Sequence, residues 1–193
     1  MLNLVKRAQH RDGEAFVQLM EAHKEGMYKV ARAYLNQDAD VADAMQDTVL
    51  DCFEKLHTLK EPKYFKTWMI RILIRNCTDI QRKNQRVLPV EGACFEQEAP
   101  KEELGDFLEL LESLDEQSRV IFILYYVQGF KIREIAKILG ENENTISSRL
   151  RRGRSRIKQE LREPYQKEGL HEEQKNIRGG CPEGLTKANH VAG

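Results

Sequence analysis

The chain has 193 residues, enough for one or two small domains. Hydrophobic residues make up 40% of it and charged residues 32%, and 31 Lys and Arg balance 31 Asp and Glu. A net charge of zero, taken as an average, argues against a nucleic-acid binder, but the charge is laid out in blocks of opposite sign. Residues 38–54 carry six acids and no Lys or Arg, and residues 60–86 carry eight cations and two acids. Residues 91–116 carry ten acids and one Lys, and residues 144–162 carry seven cations and one acid. Such blocks point to separate surfaces with separate partners.

The N-terminal stretch MLNLVKRAQHRDGE lacks the apolar core of a signal peptide. The longest apolar run, Val120 to Val127, is far short of the roughly 20 residues that span a bilayer. Cys52, Cys77, Cys94 and Cys181 form no CxxC pair, which argues against a zinc site and fits a reducing cytoplasm. No metal site and no cofactor are expected. Cys52 and Cys77 fall in helical patterns and read as small buried hydrophobes.

Asp12 can cap a first helix, whose stripe runs through Phe16, Leu19, Met20, His23, Met27, Val30, Ala31, Tyr34 and Leu35. His23 reads as a satisfied boundary histidine. A second helix is expected from near Asp40, with Val41, Met45, Val49, Cys52, Phe53 and Leu56 inward. Its acids Asp43, Asp47 and Asp51 lie mainly on other faces, together with Gln46. Paired carboxylates can serve acid–base chemistry, but no His partner or glycine-rich loop accompanies these. They read as a solvated face or as a docking surface for a basic partner.

Thr58 to Tyr64 is a loop broken by Pro62. A third helix follows from Phe65 to about Arg86, with Phe65, Trp68, Met69, Ile72, Leu73, Asn76 and Ile80 on one stripe and Lys66, Arg71, Arg75, Arg82, Lys83 and Arg86 elsewhere. The aromatics Tyr64, Phe65 and Trp68 at the start of a basic helix read equally well as core or as a stacking edge for single-stranded bases.

Residues 87–101 contain Pro89, Gly92 and Pro100, have no helical period and read as a flexible acidic linker. A second helical module follows. Leu104, Phe107, Leu108, Leu111 and Leu114 mark its first helix, and Asp115 caps its second. From Gln128 to Arg162 come two short helices joined at Gly140, where a helix end wants a residue tolerant of positive φ. Asn144 or Thr145 is the expected cap of the last helix, which keeps Ile146, Leu150, Ile157 and Leu161 on a stripe and is rich in arginine. That pairing describes a helix-turn-helix, whose second helix can enter the major groove. Residues 163–193 have no period and are expected to be disordered. The expected fold is all-α, with two small helical domains at 1–86 and 102–162 joined by the linker 87–101. No nucleophile–base arrangement, P-loop or dinucleotide fingerprint is present, so no enzymatic activity is expected.

An acidic helix, an aromatic-basic helix, an acidic linker and a C-terminal helix-turn-helix, in this order, resemble a bacterial RNA polymerase sigma factor of the extracytoplasmic-function (ECF) class. DADVADAMQDTVLDCFEKL resembles the family's core-polymerase-binding helix, YFKTWMIRILIRNCTDIQRKNQR its promoter-melting and −10 segment, and LDEQSRVIFILYYVQGFKIREIAKILGENENTISSRLRRGRSRIKQEL its −35 domain. The resemblance covers roughly residues 10–162. It implies core contacts at Asp43, Gln46 and Asp47. It implies −10 capture by the loop Lys60–Tyr64, including Lys63, with Phe65, Trp68 and Asn76 behind it. Asp79 is expected to organise neighbouring arginines. The resemblance implies −35 contacts on Thr145, Ser147, Ser148, Arg149, Arg151, Arg152 and Arg154. It also implies core RNA polymerase and promoter DNA as partners, with a membrane-associated anti-sigma factor as inhibitor. Where many members carry Gly-Thr-Val at the start of the recognition helix, this chain has Asn144, Thr145 and Ile146, so a −35 preference does not transfer. The main rival is a free-standing helix-turn-helix repressor or activator, which leaves the acidic and aromatic-basic helices without a task. A helical adaptor and a hydrolase using Asp43 and Asp47 rank lower.

Overall fold

In a computed structural model of the chain, residues 1–86 and 110–161 are described. The expected linker, most of the helix expected from Glu102, and the expected tail lie outside them. Every regular element among the described residues is helical.

Helix α1 (Leu2–Gln9) was not foreseen from the sequence. It buries Val5 and Ala8 with Leu4 packed beside them, and Gln9 ties it down by donating to the carbonyls of Leu56 at 3.2 Å and Leu59 at 2.7 Å. Helix α2 (Gly13–Tyr34) starts where expected, with Asp12 Oδ1 accepting from the Ala15 N–H at 3.0 Å. His23 donates through Nδ1 to the Leu19 carbonyl at 2.8 Å and sits edge-on to Phe65, so it is the satisfied boundary group expected.

Helix α3 (Asp38–Lys55) begins two residues before the expected Asp40, and Asp38 pairs with Arg32 at 3.1 Å. It buries Val41, Ala44, Thr48 and Cys52. This stripe is narrower than the expected one. Phe53 falls outside it and stays 63% exposed, edge-on to Phe16. The following loop contains two 3-10 turns, Leu56–Thr58 and Pro62–Tyr64.

Helix α4 (Phe65–Arg86) buries Phe65, Met69, Ile70, Leu73 and Cys77. The stripe is rotated from the expected one, so Trp68, Ile72, Asn76 and Ile80 are only half-buried. The rotation follows from a second neighbour: α4 packs on α3 with one side and meets the C-terminal half with another. Cys52 and Cys77 are fully buried, and burial pushes both thiols up to about 12. They are protonated hydrophobes at neutral pH, as expected.

The C-terminal half resumes with a helical end at 110–112. Helix α5 (Glu116–Phe122) is capped by Asp115, which accepts from the Ser118 N–H at 3.0 Å and hydroxyl at 2.7 Å, and it runs on as a π-helical turn, Ile123–Val127. Helix α6 (Ile132–Leu139) has its start secured by Glu134, which accepts from the Lys131 N–H at 2.9 Å. It ends at Gly140 with φ 69°, the left-handed conformation expected there. Helix α7 (Glu143–Glu160) is capped by Asn142, whose Oδ1 accepts from the Asn144 N–H at 2.8 Å. The cap lies two residues before the expected Asn144, because the turn after Gly140 is shorter than its polar composition suggested. Ile146 and Leu150 are buried as expected, whereas Leu161 is 51% exposed.

Two close approaches set the packing. A Cβ at Gly153 of α7 would come within 2.5 Å of the buried Phe122 ring, so glycine there lets α7 lie against α5. The two halves are also in contact, α2 against α5 and α4 against α6. Gly153→Ala is expected to force Phe122 aside and to destabilise the C-terminal half by about 1–3 kcal/mol, the usual cost of overpacking. Thermal melting followed by circular dichroism checks this, and an unchanged midpoint would contradict the packing.

Candidate nucleic-acid and partner interface

The acidic face is built by the pitch of α3. With Val41, Ala44 and Thr48 turned inward, Asp43, Gln46 and Asp47 fall together on the solvent side, all exposed. Beside them the sequence reading missed an apolar groove of about 400 Å³ between α2 and α3, lined by Met20, Met27, Met45, Gln46, Val49 and Leu50. Leu50 is 61% exposed at its edge, and Phe53 and Val17 are comparably exposed nearby on the same two helices. The acids therefore border an adaptable, methionine-rich apolar surface. The signal was present in the sequence as Met20, Met27 and Met45, but these read as ordinary core.

The Lys60–Tyr64 loop presents its cations and one aromatic to solvent. Lys60 and Lys63 are exposed, Tyr64 is 53% exposed, and the Lys63 ammonium lies 5.0 Å from the Tyr64 ring centre and 3.4 Å from Glu61. Behind it, Phe65 is buried and Trp68 is half-buried, 6.1 Å from Phe65. Phe65 is thus core, and Tyr64 and Trp68 are the aromatics of this segment left open to solvent in whole or in part.

Asn76 turns the other way. Its Nδ2 donates to Thr48 Oγ1 at 3.1 Å and to Asp51 Oδ2 at 3.3 Å, which ties α4 to α3. Thr48 in turn donates to the Ala44 carbonyl at 2.6 Å, and Asp51 is also paired with Lys55. Asp79 lies 3.8 Å from Arg75 and 3.5 Å from Arg82, holding those arginines as expected.

On α7 the buried line Ile146, Leu150 and Gly153 leaves the opposite side free. Ser147, Arg151 and Arg152 are exposed there, with Ser148 and Thr145 half-exposed beside them. Arg149 and Arg154 stand apart from this group. Arg149 is only 22% exposed and lies 3.6 Å from Asp115 at the start of α5. Arg154 donates through Nε to the Tyr126 hydroxyl at 2.6 Å, and its guanidinium lies within 6 Å of the Tyr125 and Tyr126 rings. Sequence spacing put all seven residues on one basic helix; packing divides them into an outward group and two arginines already engaged by their own domain.

A helix-turn-helix with an outward Ser and Arg surface, and a separate acidic face beside an apolar groove, define an all-helical protein of the DNA-binding class. The chain matches the family model "Sigma-70 region 2" over residues 19–87 and "Sigma-70, region 4" over residues 104–157. It is 31% identical over 134 residues to RNA polymerase sigma factor SigV of Bacillus subtilis, covering 67% of this chain and 81% of that one. Its fold is similar to that of CnrH, solved in complex with the cytosolic domain of CnrY, at TM-score 0.63 and 25% identity, covering 83% of this chain and 96% of that one. The sigma factor RpoE of Bartonella quintana, solved with the anti-sigma factor NepR, shares the fold at TM-score 0.63 and 24% identity, covering 77% and 97%. The chain belongs to the ECF class of RNA polymerase sigma factors, the alternative sigma factors that direct transcription initiation. The repressor rival therefore falls away.

Asp115 carries a pH signature. Burial acts to raise its pKa, but the Ser118 hydrogen bonds and the nearby Arg149 outweigh it and hold the carboxyl below the usual range. A depressed carboxyl stabilises the fold above its unfolded value, about 3.9, and that stability is lost as pH falls through the folded value. Asp115→Asn is therefore expected to melt lower than the parent at neutral pH and to lose less on acidification below about pH 4. Parallel acid curves would place the loss elsewhere.

Proposed function

We propose that the face of α3 bearing Asp43, Gln46 and Asp47 is the dock for core RNA polymerase. The acids supply charge complementarity that speeds and registers encounter, and the groove beside them supplies apolar contact. The observation that carries the reading is this juxtaposition: exposed carboxylates on α3 bordering an exposed apolar groove.

Promoter reading divides between the halves. In the N-terminal one, residues 1–86, Lys60 and Lys63 hold the non-template strand, and Tyr64 with Trp68 takes a base of the −10 element as it unstacks. Each stacked base contributes roughly 1–3 kcal/mol toward a melting cost of a few kcal/mol. In the C-terminal one, residues 102–162, Ser147, Ser148, Arg151 and Arg152 face the −35 major groove, where arginine pairs with a guanine edge. Thr145 lies at the margin of that surface. Arg149 and Arg154 act by holding α7 on α5 and on the tyrosine pair, and Asn76 by fixing α4 on α3. Residues 87–101 connect the halves. The chain needs no cofactor and has no catalysis of its own. Its place is the cytoplasm, and its inhibitor is a membrane-associated anti-sigma factor. A sigma-factor relative captured with a protein's cytosolic domain supports such a partner. Among the described residues no helix is long and apolar enough to cross a membrane.

Reconstituted transcription with core polymerase tests the whole reading, since the chain should confer initiation at a specific start site that core alone lacks. Asp47→Lys is expected to weaken core binding at least tenfold, about 1.4 kcal/mol, and to leave binding to a −35 duplex intact. Equal loss of both would indicate misfolding instead. Arg152→Ala is expected to cost roughly 1–3 kcal/mol on a −35 duplex without changing the melting temperature. Arg149→Ala should do the reverse, lowering the melting temperature with little change in sequence preference, and titrations beside melting curves separate the two.

A further inference from the structure

Helix α1 has no task in the reading above, yet it lies against both 3-10 turns of the loop proposed to take the −10 base, Leu56–Thr58 and Pro62–Tyr64. Its direction is set from α2. The Asp12 carboxylate caps α2 through the Ala15 N–H and pairs with Arg7 of α1 at 2.7 Å, across a corner where Arg11 takes a left-handed φ of 65°. At its far end Gln9 reaches the loop, and its two bonds hold different things. The Leu56 carbonyl, 3.2 Å from Gln9 Nε2, already accepts from the Leu59 N–H at 3.1 Å inside the first turn. The Leu59 carbonyl, at 2.7 Å, belongs to the peptide that leads into Lys60, and among the described residues no other donor reaches it.

Gln9 thus stands at the entry of the loop. The far end is anchored by the buried Phe65, and Lys60, Glu61, Lys63 and Tyr64 between the two anchors are exposed. Apolar packing does not duplicate the amide. A cleft of about 560 Å³ opens beside Gln9, between the corner of α1 and α2 and the end of α3, with Arg11, Asp12, Phe53, Glu54 and His57 on its walls. A loop that presents a tyrosine and two ammonium groups to a strand loses conformational freedom on binding unless it is ordered beforehand.

We propose that Gln9 is a positioning residue for −10 capture: it fixes the Leu59–Lys60 peptide and so orders the Lys60–Tyr64 loop before the base arrives. The inference rests on the capture reading above and deepens it. Gln9 touches no DNA in this scheme and acts only through the loop. Without its two bonds the loop samples other conformations, and affinity for the unstacked strand falls by the fraction of chains left in the competent one. Docking through α3 and −35 reading through α7 do not use the loop and stay as they are.

Hydrogen exchange on the full-length chain reads the loop directly, with the Leu59 and Tyr64 amides, bonded in the two turns, as reporters. Gln9→Leu should speed their exchange about five- to tenfold and leave α3 and α4 protected. In reconstituted initiation the same variant should slow promoter opening, followed by permanganate at the −10 element, by a similar factor, with core and −35-duplex affinities unchanged. Gln9→Glu supplies a pH readout. Its carboxylate is repelled by both carbonyls, which raises its pKa above the ordinary value of about 4.3. It should behave like Gln9→Leu at pH 8 and regain loop protection, corrected for intrinsic exchange, toward pH 5, where the protonated acid can donate. The wild type and Gln9→Leu carry the same neighbouring charges, His10, Arg11, Asp12, Glu54, His57, Lys60 and Glu61, and should show no such recovery. Unchanged loop protection in Gln9→Leu, or faster exchange with undiminished opening, would overturn the proposal. So would a Gln9→Glu profile parallel to the wild type, and that variant decides alone if Gln9→Leu loses helical content throughout. Undiminished opening by Tyr64→Ala would sink the capture reading instead, while loop protection would still decide whether Gln9 orders the loop.

Discussion

Helix α4 has to satisfy three neighbours with one stretch of 22 residues, and the rest of the structure depends on how it does so. One side buries Phe65, Met69, Leu73 and Cys77 in the N-terminal core. A second, through Asn76 and through Asn84, which donates to Asp40 at 2.8 Å, is hydrogen-bonded to α3. A third, carrying Lys66, Ile74 and Gln81, meets the C-terminal half. What faces solvent includes Arg71, Arg75, Arg82 and Lys83, a cationic remainder, while Lys66, Thr67 and Trp68 at the start of the helix are half-buried. The position of α4 is thus fixed from several sides at once, and under the proposed reading such a constraint suits a site that holds an unstacked base.

Charge is distributed by the same logic. Opposite-signed surfaces on one chain would attract each other or the wrong partner unless the fold kept them apart. Asp43 and Asp47 lie on the outer side of α3, while Arg151 and Arg152 lie on the outer side of α7, with α4, α5 and α6 packed between those helices. Net neutrality therefore hides two strong local fields, which suits a protein that must bind a protein and a polyanion without binding either indiscriminately.

Much of this was legible in the sequence. The period of α2, the Asp12 and Asp115 caps and the Gly140 turn are local signals, because each depends on groups within a few residues. The order of acidic, aromatic-basic and helix-turn-helix segments gave the class. What failed was set by long-range packing. The stripe of α4 was read one neighbour short, so Ile70 was overlooked, and Ile72 and Ile80 were placed deeper than they lie. Arg149 and Arg154 look like Arg151 and Arg152 in sequence, and only the positions of Asp115 and the Tyr125–Tyr126 pair distinguish them. The groove beside the acids and the contact between the halves at Gln128 each need residues from distant segments, more than a hundred apart in the case of Gly26 and Gln128. No periodicity announces such contacts.

The central claim is that one chain, held by polymerase, grips a duplex element and a melted element at the same promoter. A footprint of the reconstituted holoenzyme, combined with permanganate probing of unpaired thymines, tests this most directly. The account predicts protection of a −35 block together with reactive thymines at the −10 element, both dependent on core polymerase and both lost when the Tyr64 and Arg152 side chains are truncated together. A symmetric duplex footprint made by the chain alone, with no unpaired bases and no requirement for core, would contradict it.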